Sequence, residues 1–203
     1  MGVDLVGKIR RFDVSNENFL SIIEGGDGSV DYGCVKKGNH RVLRFDMVTY
    51  NIGDKDLILR DPANPDLEKK YFKPAKPELT EGVGLQFKAQ PFFIYSLRND
   101  DSSIKLSGFK EAFCFDGIEM ENCNKQGLLA GKLPDVYFSD MPCQFIVIDG
   151  LPDGEYILEA TVNAPSVEAV KNGKGEVFIE EDSYDNNTDS VRLQIKGDQA
   201  VRI

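Results

Sequence analysis

A chain of 203 residues with 24 Lys+Arg against 34 Asp+Glu carries a net charge of −10, which argues against a nucleic-acid groove or an anionic-membrane surface, since both need clustered Lys and Arg. Hydrophobic residues make up 41%, and no apolar run approaches the roughly eighteen residues of a membrane span, so the sequence reads as one globular domain, 1–203, with no transmembrane helix. The single histidine, His40, excludes any site built from two or more imidazoles.

In chain order, the start MGVDLVGKIRR has no apolar leader core; it fits a cytosolic chain or one that begins after a cleaved leader. Residues 15–24 read as a possible helical piece. The glycine cluster Gly25, Gly26 and Gly28 lacks the GK[ST] ending of a phosphate loop and reads as a turn. Residues 41–51 alternate as a strand, with Val42, Arg44, Asp46, Val48 and Tyr50 on one side and Leu43, Phe45, Met47 and Thr49 on the other. Residues 60–84, rich in Pro and charge, read as an extended surface excursion.

Strands follow over 91–98 and, after the polar turn 99–102, over 104–115 as the returning half of a hairpin. The short apolar run 144–149 suits a buried central strand. Pro152, Asp153 and Gly154 form a strong turn signal. After it, Tyr156, Leu158, Ala160 and Val162 alternate with Glu155, Ile157, Glu159 and Thr161. Residues 165–171 are a second possible helical piece, and 190–197 a last alternating strand. Short strands between recurring turns predict an all-β fold, a single-domain β-sandwich with long loops.

Cys34, Cys114, Cys123 and Cys143 show no CxxC spacing, and with one histidine a zinc site would need all four thiolates. Two disulfides, in any of three pairings, imply an oxidising compartment; free buried thiols are the alternative. No Ser/His/Asp triad is credible around His40, and no carboxylate pair stands out for hydrolysis.

Several segments are, in order, similar to motifs of the lysyl oxidase catalytic domain: VDLV, HRVLRFDMVTYNIGDKDLIL, GFKEAFC, DVYFSDMPCQFIVIDGLPDGEYILEATVN and EEDSYDNN. The resemblance runs nearly the whole chain, and implies a secreted, extracellular protein. Lysyl oxidases are copper amine oxidases with a H-x-H-x-H copper strand and a quinone made from a Lys and an oxidised Tyr. Lys110 falls on the quinone lysine and Tyr137 on its tyrosine. The copper positions fall near Gly82, Gly84 and Gln86. Glycine offers no side chain and a Gln amide oxygen is a poor copper ligand, so copper and the lysine tyrosylquinone are not expected. His40 lies in the family's H-R-V-L motif, as a structural residue. Lys110 and Tyr137 then read either as relics of the cofactor or as packing residues, with Lys110 paired to Glu111 or Asp135.

Two other implied features are unbroken. The family's bridges imply disulfides Cys34–Cys143 and Cys114–Cys123, with about 3 kcal/mol from the short loop and nearly 5 from the long one. The family's calcium site implies Asp4, the carbonyl of Leu5, Glu181, Asn186 and Asn187 as ligands, with Ser183 where the family has Asp, and Asp182 one position earlier. Independently, residues 180–189 hold five carboxylates and two Asn amides, the hard-oxygen chemistry calcium needs; a solvated acidic loop is the plainer reading. Asn186-Asn187-Thr188 is also a glycosylation sequon, which would compete with ligation. The reading is a catalytically silent extracellular binding or structural module, stabilised by calcium, with an acidic surface suited to a basic protein partner. The alternative is a divergent copper and quinone-dependent amine oxidase releasing aldehyde, ammonia and hydrogen peroxide.

Overall fold

The computed structural model describes residues 2–74, 85–87, 91–110, 123–164 and 179–203, and these form thirteen strands. The strands are β1 (Leu5–Phe19), β2 (Gly38–Asn51), β3 (Leu57–Arg60), β4 (Phe72–Pro74), β5 (Leu85–Phe87), β6 (Phe93–Arg98) and β7 (Lys105–Lys110). β8 (Gln126–Leu128), β9 (Asp135–Tyr137), β10 (Phe145–Val147), β11 (Gly154–Val162), β12 (Thr188–Lys196) and β13 (Gln199–Arg202) follow. One sheet places β2 between β1 on one side and β10 and β9 on the other; the second runs β13-β12-β11-β6-β7. All their pairings are antiparallel. β3–β8 and β4–β5 are two-stranded ribbons. Among the described residues no helix is long and apolar enough to cross a membrane.

The two large sheets share one core. Leu43, Phe45 and Met47 of β2 meet Phe93, Tyr95 and Leu97 of β6, Leu158, Ala160 and Val162 of β11, and Val191, Leu193 and Ile195 of β12. In β11 the expected inward set Tyr156, Leu158, Ala160 and Val162 is buried. β2 departs from simple in-and-out alternation, because its other face is covered too. There Val42 joins Phe19, Val35 and Phe145 in a second cluster, so the strand is the spine of its sheet.

Part of the helical expectation for 15–24 is corrected. Residues up to Phe19 belong to β1, which pairs with β2 from Leu5↔Asn51 to Phe19↔Gly38 with one bulge at Arg11. Only Ile22–Glu24 form a short 3-10 turn. Ser15, Asn16 and Asn18 are poor helix formers, and a long ladder of backbone hydrogen bonds outweighs a weak local preference. The excursion from 60 is also corrected at its start: Pro65–Tyr71 is a helix, α1. Pro opens it, Asp66 and Glu68 lie in the first turn and Lys69 and Lys70 in the last, the polarity that suits the helix dipole. Residues 75–84, the possible helical piece 165–171 and the end of the 104–115 strand beyond Lys110 lie outside the described residues.

Cys34 and Cys143 form a disulfide with Cα atoms 5.5 Å apart. Buried Ser29 organises both halves: its carbonyl accepts the Cys34 amide at 3.0 Å and its hydroxyl accepts the Cys143 amide at 3.0 Å. Cys123 is also disulfide-bonded; its expected partner, Cys114, lies outside the described residues.

Candidate metal site and the lysine–tyrosine pair

The acidic loop returns from Ile179 to the start of β1. Asp4 is fixed by buried Asn51, whose Oδ1 accepts the Asp4 amide at 3.2 Å and the Gly53 amide at 3.1 Å. Glu181 Oε2 accepts the Leu5 amide at 2.5 Å. Its Oε1 accepts Nδ2 of Asn163 at 2.5 Å and Nδ2 of Asn187 at 2.9 Å. Asn186 Nδ2 donates to Asp4 Oδ1 at 2.8 Å, and Asn187 Nδ2 also reaches the Val162 carbonyl at 3.2 Å. Four of the expected ligand residues thus pair side chain to side chain, Asp4 with Asn186 and Glu181 with Asn187; Leu5 reaches Glu181 through its amide, not through the carbonyl expected as a ligand.

One feature of this cluster is what a cation would use. Oδ1 of Asn186 and Oδ1 of Asn187 are buried and accept no hydrogen bond. Their orientation is set by the partners of the amide nitrogens, the Asp4 and Glu181 carboxylates and the Val162 carbonyl, which can only accept. Burial pushes the Glu181 carboxyl above its ordinary value; the bonds from Asn163, Leu5 and Asn187 pull the other way, and the Asp4 charge pushes it up again. Two carboxylates and two unsatisfied amide oxygens are oxygen donors of the kind Ca²⁺ takes, so the residues present fit the ion. Among the described residues no group of three or more His, Cys, Asp or Glu side chains is placed to hold a metal ion, so any cation here would depend on the two Asn amide oxygens as well.

Two other carboxylates of 180–189 do different work. Asp182 accepts the Gly2 amide, and its own amide donates to Val3 at 2.8 Å. Asp189 accepts the Ile9 amide at 2.9 Å and the Lys8 ammonium at 3.1 Å. With Glu181 on Leu5, three carboxylates staple the N-terminal stretch along its backbone, and much of the acidic cluster is thereby structural.

Lys110 and Tyr137 are brought together. Both are 5% exposed. Lys110, at the end of β7, donates to the Pro142 carbonyl at 2.6 Å, and its Nζ lies 5.6 Å from the centre of the Tyr137 ring. Tyr137 sits in β9 opposite Met47 and packs edge-on against Phe93 at 4.9 Å. Asp135 is buried in the same strand; Glu111 lies outside the described residues. Gly82 and Gly84 also lie outside them, and Gln86 is in β5 opposite Lys73. His40 is held by Asp149, Nδ1 to Oδ2 at 2.5 Å. Burial would raise Asp149, but the Arg41 amide and the His40 ring outweigh it and hold the carboxyl below its ordinary value.

The lysyl oxidase family model matches residues 14–203. The chain belongs to the lysyl oxidase family. It is 25% identical over 177 residues to lysyl oxidase homolog 2 of Gallus gallus, covering 80% of this chain and 19% of that protein. The homologues of Bos taurus and Homo sapiens are each 24% identical over 174 residues, covering 79% of this chain and 19% of theirs. The chain therefore spans about a fifth of the length of these curated relatives.

Within this lysyl oxidase fold, several organising residues escape sequence reasoning. Asn163 and Asn51 carry only a turn-like signal at strand ends. Arg44, on the alternating strand, grips Glu17 with two bonds of 2.6 Å, donates to the Ser139 carbonyl at 2.7 Å and lies 4.9 Å from the Phe145 ring centre. The Arg44 bonds lead the forces holding Glu17 below the usual carboxylate range, against burial. Arg44 thereby clamps the 138–143 segment, which carries both the Pro142 carbonyl under Lys110 and Cys143.

Proposed function

We propose that this lysyl-oxidase-like domain is catalytically silent and works outside the cell as a calcium-stabilised binding or structural module. The observation that carries the reading is the histidine count. A copper strand of this family needs three imidazoles; this chain has one, His40, and that ring is engaged by Asp149. Gly82 and Gly84 have no side chain to offer a metal, and Gln86 is a poor substitute. The residues do not fit copper. Lys110 and Tyr137 have a packing role that requires no chemistry: the ammonium caps a carbonyl and lies near an aromatic ring.

Calcium, when bound, would neutralise Asp4 and Glu181. Asp4 and the Leu5 amide belong to the N-terminal stretch, and Glu181, Asn186 and Asn187 to the loop entering β12, so the site joins the edge of one sheet to the other. The orphaned Asn186 and Asn187 oxygens support this reading. The Cys34–Cys143 bridge suits an oxidising, extracellular setting. The net charge of −10 favours encounter with a basic protein surface.

The test is elemental analysis of the purified, unchelated protein, with peroxide release from an alkylamine measured on the same sample. Calcium without copper, and no peroxide, is expected. Copper near one atom per chain together with peroxide would overturn the proposal. A divergent amine oxidase is the second reading, favoured by one observation, the 5.6 Å approach of Lys110 Nζ to the Tyr137 ring. A Lys110–Tyr137 cross-linked peptide in a proteolytic mass map would promote it.

A further inference from the structure

We infer that Asn163 is the positioning residue of the calcium site, setting where the Glu181 carboxylate lies before any ion arrives; this rests on the calcium reading above. Asn163 follows β11, is buried, and has φ of +48°, a backbone region in which Asn is favoured over most side chains. Its Oδ1 accepts the Ile179 amide at 3.1 Å and its Nδ2 donates to the Ile179 carbonyl at 2.8 Å. One side chain thus imitates a strand neighbour, pinning Ile179 across a sequence separation of 16. The Asn163 Nδ2 also serves Glu181 Oε1 at 2.5 Å.

The neighbouring residue completes the shelf. Val162 donates its amide to the Asn187 carbonyl at 3.0 Å and accepts Asn187 Nδ2 at 3.2 Å. The end of β11 therefore holds both ends of the ligand loop, Glu181 through the Asn163 side chain and Asn187 through the Val162 backbone. Asn163 points its oxygen at Ile179 and its nitrogen at Glu181, so it offers the ion no donor of its own; it acts through the carboxylate.

The test compares calcium affinity with stability. Asn163→Gly keeps the backbone conformation and removes the side chain; Asn163→Ser keeps a polar group too short to reach both Ile179 and Glu181. Asp189→Asn, which weakens a different carboxylate's hold on β1, is the comparison. Calcium binding is followed by titration calorimetry, and the thermal midpoint is read in chelator. Both Asn163 variants should lose about tenfold or more in calcium affinity, the effect typical of removing a residue that orients a ligand. Asp189→Asn should keep its affinity even where its midpoint falls as far. Wild-type affinity in the Asn163 variants overturns the inference alone, as does an equal affinity loss in Asp189→Asn. A wild type that binds no calcium overturns the calcium reading and this inference with it.

Discussion

Asp4→Asn separates what the acidic site does for the empty fold from what it does for a cation. Asp4 Oδ1 accepts Asn186 Nδ2 at 2.8 Å, and an Asn oxygen in the same place can accept that bond. The lost charge is one that pushes Glu181 upward, so without calcium the variant should be as stable as the parent, or slightly more so. With calcium the order reverses. An ion at about 100 times its Kd stabilises a fold by about 2.7 kcal/mol, which at about 2–4 °C per kcal/mol raises the midpoint of a domain this size by about 5–11 °C. Removing one of two ligand carboxylates, taken as about a 100-fold loss of affinity, leaves the same calcium near Kd, where the gain is about 0.4 kcal/mol and about 1 °C. Calorimetric melts of both proteins in chelator and in calcium measure this. An undiminished calcium-induced shift in Asp4→Asn would refute the placement of the site.

Three further outcomes follow from the geometry. Glu17→Gln should lower stability by about 1–2 kcal/mol at neutral pH, since Glu17 is paired twice to Arg44 but partly exposed. Because the pairing depresses the Glu17 carboxyl, its contribution is present above the unfolded value and is lost as pH falls through the lower folded one, so urea melts should show the gap closing below about pH 4; a pH-independent gap contradicts the ion-pair account. Replacing Cys34 and Cys143 together by Ala should cost about 3–5 kcal/mol in a urea melt, given a separation of 109 residues; a loss under about 1 kcal/mol would show that the Ser29 bonds hold the segment unaided. Peptide mapping of the protein from a glycosylating host should find Asn186 unmodified in the calcium-binding fraction, because Asn186 Oδ1 is buried and Nδ2 is committed to Asp4; a glycan on calcium-binding molecules contradicts ligation by Asn186.

Much of the sandwich was legible because its strands carry their own period. β11 and β12 alternate cleanly and bury the expected side chains. β1 was not legible over Ser15–Asn18, because its stability comes from β2 more than twenty residues away, and local preference there is weak. β3, β8 and β9 are too short to show a period, and β13 is mostly exposed. At the site, residue types suggested oxygen ligation, while the division of labour did not show: nothing local says that Asp182 serves the Gly2 amide and Asp189 the Ile9 amide, while Glu181 is shared between the Leu5 amide and the side chains of Asn163 and Asn187. That assignment depends on where residues 2–9 come to lie, some 180 positions away. Lys110 and Tyr137 teach the converse. The family resemblance places them at cofactor positions, and the fold gives each a buried structural task around Pro142 and Phe93. A lysine whose ammonium caps a carbonyl, beside a tyrosine packed into the main core, is costly to replace with or without a quinone. Their presence alone therefore does not separate the two readings, and the proposal of a silent domain rests on the missing imidazoles.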